Sequence, residues 1–204
     1  MLKQGPSVDI HAIFVFSIIL IILAFASAQT EAEPPSLDAI LDLFALIRGP
    51  RTLAQSNWDT IKGSHIEALI GPIEGGQPPT IPEALREHLE QVVASNLDSP
   101  YKEEFVRLKQ AIYHSSQPFD IRVVGRWPSM MSDEFFTLLR EHDSKALVIL
   151  SQYAIILKAF QGRWWIGSWD RMLISAIDKV MPESDRKQLD WRMEELEHLL
   201  NLQA

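Results

Sequence analysis

His142-Asp143-Ser144-Lys145-Ala146-Leu147-Val148-Ile149-Leu150-Ser151-Gln152-Tyr153-Ala154-Ile155-Ile156-Leu157-Lys158-Ala159-Phe160 is the stretch on which the fold turns. From Ala146 to Leu157 nearly every position is apolar, so no one face is preferred. A helix apolar all round is buried all round. This one is shorter than the roughly 20 residues that a bilayer demands. The pattern predicts a central helix over residues 143–160, buried in the core of a soluble all-α domain. Asp143 or Ser144 can cap its start, and Gly162 can end it. After Gln161-Gly162-Arg163 comes Trp164-Trp165-Ile166-Gly167-Ser168-Trp169, then a further helical pattern to Met181-Pro182.

Working outward, Ser132 or Asp133 starts a helix with Phe135, Phe136, Leu138 and Leu139. Gln117 to Gly125 is short, strand-like and without a partner of similar pattern, and reads as an extended linker. Ser99-Pro100 leads into a surface helix whose stripe is Tyr101, Phe105, Leu108 and Ile112, opposite Glu103, Arg107 and Gln110. Thr80-x-x-Glu83 fits a capping box before Leu85, Leu89, Val92 and Val93. Residues 71–82, with Gly75-Gly76 and four prolines, read as an internal surface loop. Gly75-Gly76 lacks the preceding strand and following Gly-Lys-Ser/Thr of a phosphate loop. Ile66 to Ile70 reads as a short turn, and residues 51–61 as a weak helix. Ser36 caps a helix through Ile47, with Leu37, Ile40, Leu41, Phe44 and Ile47 on one face and Arg48-Gly49-Pro50 as its stop. At the other end, Ser184 caps a last helix carrying Leu189, Met193, Leu196 and Leu200. About eight helices with short links make a single irregular helical domain over residues 1–204.

The chain has 204 residues, 47% of them hydrophobic, which is enough for one sizeable core. A net charge of −8 disfavours direct nucleic-acid binding. The absence of cysteine removes disulfides, thiol catalysis and Cys-ligated zinc. Residues 12–28 imitate a signal peptide or anchor: Lys3 precedes an apolar run from Ile13 to Phe25, which ends in Ala26-Ser27-Ala28. Asp9 directly before the run departs from that pattern, and on the residues alone a targeting segment and an internal helix packed on the central helix, with Phe16 buried, both stay open.

The six histidines form no His-Glu-x-x-His, and Glu195-x-x-His198 is one copy of a spacing that di-iron bundles need twice. No Gly-x-Ser-x-Gly elbow exists. No catalytic residue, metal site or cofactor is expected, and the chain does not read as an enzyme. Aromatic and methionine residues concentrate in one region instead. Met130, Met131, Phe135, Phe136, Phe160, Trp164 and Trp165 are candidate walls of an apolar pocket, with Tyr153 a polar group to hold a ligand and Ser151 and Gln152 beside it. The bland alternative for each aromatic is ordinary core, and each polar group can instead be satisfied by neighbouring backbone.

Ala146-Leu147-Val148-Ile149-Leu150 with Tyr153-Ala154 and Leu157, followed by Trp164-Trp165, Gly167 and Trp169, resembles the C-terminal regulatory region of fungal zinc-cluster transcription factors. It is most similar to the sterol uptake control group. Phe14-Val15-Phe16-Ser17 with Ala24-Phe25-Ala26-Ser27 looks like that family's early buried helix, which favours the internal helix over a targeting segment. Leu41-Asp42-Leu43-Phe44 with Leu46-Ile47-Arg48-Gly49, and Trp127-Pro128 with Phe135 and Leu138-Leu139, fit in the family's order. Trp191-Arg192 departs from it, standing where many relatives have Trp-Pro. The resemblance implies a nuclear regulator of RNA polymerase II transcription that senses a sterol and works through the transcription machinery or self-association. The zinc of full-length relatives belongs to a six-cysteine DNA-reading module absent here. The other reading is a secreted or membrane-anchored helical protein that uses residues 12–28 for targeting.

Overall fold

The computed structural model describes residues 9–67, 83–94, 98–115, 120 and 122–185. Among them the chain is all-α, with ten helical segments. These are α1 (Ile10–Ala28), α2 (Leu37–Ser56), α3 (Trp58–Ile61), α4 (Glu83–Ala94), α5 (Tyr101–Ser115), α6 (Arg122–Met130), α7 (Asp133–Arg140), α8 (Ser144–Gln152), α9 (Ala154–Ala159) and α10 (Trp169–Val180). The 71–82 loop, the Thr80 cap and the helix expected after Ser184 lie outside the described residues.

Local chemistry sets the helix starts where the sequence places them. Ser36 Oγ accepts from Ala39 N at 3.2 Å, Ser132 Oγ from Phe135 N at 3.2 Å and Asp143 Oδ1 from Ala146 N at 3.0 Å. Each satisfies an amide that the first helical turn leaves without a partner. Between α7 and α8, His142 adopts a φ of 56°. His142 N donates to Leu139 O and Asp143 N to Leu138 O, the paired bonds of a Schellman turn.

Three expected helix boundaries need correction. The central stretch is two helices, not one helix over 143–160. Ser151 Oγ bonds back to Val148 O at 2.7 Å, and Tyr153 N closes onto Leu150 O in a tight turn. Such back-bonding bends helices. Burial follows the expectation all the same: from Ala146 to Leu157 only Val148 escapes full burial. Next, α2 continues through Arg48-Gly49-Pro50 to Ser56. Ile47, Pro50 and Ala54 form one buried stripe, and packing outweighs a proline that costs about 3 kcal/mol in a helix interior. Last, residues 122–125 of the expected extended linker are the first turn of α6, with Val123 and Val124 fully buried.

The pair α8–α9 lies among α5, α7 and α10, while α2 packs against α1, α6 and α10. Most apolar side chains form one continuous core. A smaller cluster of Phe14, Ala54, Ile61 and Ile66 lies toward the start of α1.

Pinning of α1 falls at its C-terminal end. Phe25 meets Trp165 and Trp169 edge-on, with ring centroids 5.5 and 4.9 Å apart. Trp169 Nε1 donates to Phe25 O at 2.8 Å. Gln29 Nε2 donates to Trp164 O at 3.3 Å, and a Cβ at Gly167, whose φ is 46°, would fall on the Gln29 amide. The positive φ favours glycine there, and a larger residue would also have to displace the Gln29 side chain. Of the whole helix only Phe14 and Phe25 are fully buried. Phe16 is 59% exposed, on an outer face with Ile13, Ile19, Leu20 and Leu23. The expected packing of this helix on the central stretch, with Phe16 buried, is thus corrected: α1 packs mainly on α2, shows it the Phe14–Ile18–Phe25 face and turns Phe16 away.

Candidate ligand cleft

The inner face of α1 does not close completely on the rest of the domain. Between it, the C-terminal half of α2 and α6 lies an open cleft of about 630 Å³, within the size range of small-molecule sites. From α1 come Phe14, Ile18, Ile21, Ile22 and Phe25; from α2 come Ile47, Pro50 and Ala54. Trp58 of α3, Val124, Gly125 and Met130 of α6, and Trp165 complete the apolar lining. Its polar groups are Arg51, Gln55, Arg122, Arg126 and Ser129. Aliphatic α1 and the lengthened α2 build it together. A helix stopped at Arg48 would have withdrawn Pro50, Arg51 and Ala54.

Of the residues expected to wall a pocket, Met130 and Trp165 do line this cleft. Met131, Phe135 and Phe160 are packed in the core. Phe136 lies partly buried beneath the guanidinium groups of Arg48 and Arg140, at 5.0 and 5.3 Å from its ring centre. Trp164 is 70% exposed.

Tyr153 is fully buried, and burial pushes its phenol pKa upward. Its hydroxyl donates to Val124 O. That carbonyl would ordinarily accept from residue 128, but Pro128 has no N–H. The phenol therefore supplies the bond that Pro128 removes from α6, and it serves the fold rather than a ligand. Ser151 and Gln152 are likewise engaged: Gln152 Oε1 pairs with His88 Nε2 at 2.9 Å, and Gln152 Nε2 donates to Ser151 Oγ at 3.3 Å.

Buried Glu104, Lys158 and Asp170 escaped the sequence reading. Glu104 is fully buried in α5, where its Oε1 accepts from Ser132 N at 2.9 Å and from Arg107, while Trp127 Nε1 donates to its backbone oxygen at 3.3 Å. It ties the start of α7 to α5. Among the described residues no three His, Asp or Glu side chains converge as metal ligands.

No protein-family model, curated protein or solved structure matches this chain.

Proposed function

We propose that this chain is the ligand-sensing region of a fungal transcription regulator, without its DNA-binding module, and that the cleft between α1, α2 and α6 takes an apolar small molecule. The cleft is the observation that carries the ligand-binding half. It is concave and mainly apolar with a few polar groups in its lining, the usual make-up of a small-molecule site. The transcriptional half, the nuclear location, and partnership with the transcription machinery or a second copy come from the resemblance, as does a sterol as ligand. These 204 residues, acidic and without cysteine, are not themselves expected to contact DNA. The proposed role is binding and not catalysis.

Thermal unfolding with ergosterol, set against a polar control of similar size, tests the reading. A ligand that binds only the folded state raises the melting temperature by mass action, and Trp58 and Trp165 in the cleft should report it by fluorescence. An unchanged melting temperature and an unchanged spectrum would remove the sterol.

A second reading is favoured by α1 itself. It runs 19 residues, Ile10–Ala28, without one Asp, Glu, Lys or Arg, giving a length of about 28 Å against a hydrocarbon core of about 30 Å. In that reading α1 is a targeting or anchoring segment of a secreted or membrane-bound protein. Mass spectrometry of the mature chain separates the two: an amino terminus at Gln29 would establish cleavage and leave the cleft without one wall.

A further inference from the structure

The lining of the cleft carries a charge pattern that its apolar walls do not require. Arg51, Arg122 and Arg126 line it beside Gln55 and Ser129, and among the described residues no carboxylate does. In a chain of net charge −8 this is a local reversal of sign. Arg122 is committed to Asp120, with Nε 2.9 and 2.8 Å from the two carboxylate oxygens. Arg51 and Arg126 form no ion pair among the described residues. Both are half-buried, and cationic side chains beside low-dielectric walls attract an anion more strongly than the same charges in open water. The charge of Arg126 is felt nearby. Burial first, and then Arg126, holds His114 below its ordinary range. On Asp120, the hydrogen bond from Arg122 is the main cause of a lowered pKa, with Arg126 adding to it.

We infer that the cleft takes an anionic amphiphile, a long-chain carboxylate, with its chain along Ile18, Ile22 and Met130 and its head on Arg51 and Arg126. This rests on the reading above that the cleft binds an apolar ligand, and it replaces the neutral sterol as the class of that ligand. A guanidinium matches a carboxylate with two parallel N–H donors, which a sterol hydroxyl cannot use. Gln55 and Ser129 supply further hydrogen-bonding groups in the lining. A neutral ligand would leave Arg51 and Arg126 without a direct ion pair among the described residues, Asp120 being bonded to Arg122.

The experiment titrates the full chain with oleate and with oleyl alcohol, which share a hydrocarbon chain and differ in the head. Tryptophan fluorescence is read below the concentration at which either aggregates. Oleate should bind at least about tenfold more tightly, the ratio expected of one charge-assisted contact. Arg51→Gln together with Arg126→Gln should reduce oleate to the affinity of the alcohol and leave the alcohol unchanged. Thermal unfolding of the double variant verifies that it is folded. Equal binding of acid and alcohol, or oleate binding indifferent to both arginines, overturns the carboxylate and leaves an apolar-ligand cleft standing. Failure of oleate, oleyl alcohol and ergosterol alike overturns the cleft reading as well. Vesicles of phosphatidylcholine with and without phosphatidylglycerol form the last arm. Retention on the anionic vesicles without binding of free oleate would assign the head to a membrane lipid and overturn the free carboxylate.

Discussion

At the scale of single residues, the strongest dependence is between two that lie far apart in sequence. Pro128 removes an N–H from α6, and Tyr153 restores the bond that Val124 O would otherwise lack. Tyr153→Phe should therefore cost about 1–3 kcal/mol, the penalty of a buried carbonyl left unpaired. Adding Pro128→Ala returns a backbone N–H to that carbonyl, so the double variant should be less destabilised than the sum of the singles by about 1 kcal/mol. Urea unfolding of the four proteins measures this coupling, and strict additivity would show that the two residues act independently. Phe16 and Phe25 offer a second contrast. Phe25→Ala removes a ring packed on two tryptophans and should cost about 3–5 kcal/mol. Phe16→Ala, on the outer face, should stay within about 0.5 kcal/mol of the parent. Both rings belong to one apolar run, so composition alone could not rank them; the docking of α1 through Trp165 and Trp169 does.

Among elements, those legible in the sequence are the ones whose chemistry is local. Ser36, Ser132 and Asp143 stand where their helices begin because a cap needs only its own next turn. The expected stop at Arg48-Gly49-Pro50 misled for the opposite reason. Pro50 and Pro128 both sit inside helices, tolerated because distant residues cover for them. Tyr153 does so for Val124, and for α2 the buried stripe Ile47–Pro50–Ala54 offsets the proline while Leu46, whose carbonyl loses its partner, lies on the exposed side. The split of the central stretch at Tyr153 was hidden as well, since an unbroken apolar run says nothing about where a helix turns. The α7–α8 junction is a place where local chemistry is strained. His142 holds a left-handed conformation that glycine adopts without penalty. His142→Gly should raise stability by up to about 1 kcal/mol, read as a higher melting temperature. A fall would mean that the side chain, 3.8 Å from Asp38 Oδ1, contributes more than the strain costs.

For the whole molecule, apolar periodicity identified the core but not the space left beside it. Of the expected pocket residues only Met130 and Trp165 reach the cleft, because its main walls, α1 and the second half of α2, carry the same aliphatic signal as a filled interior. Whether such faces touch or stand apart depends on how far α1 tilts from α2, and no local pattern encodes that. The arginines of the lining were invisible for a related reason: Arg51 and Arg126 lie 75 positions apart in the sequence and line one cleft only through the packing of α2 on α6. The molecule thus has two apolar surfaces on one helix, an inner one over the cleft and an outer one turned to solvent. The most direct measurement is to let a ligand choose between them. A long-chain carboxylate bearing a photoreactive diazirine midway along its chain is irradiated with the full-length protein, and the modified peptides are mapped by mass spectrometry. The account predicts saturable labelling of Ile18, Ile22 and Met130, displaced by excess oleate. Labelling confined to Phe16, Ile19 and Leu23, or spread without saturation, would contradict it.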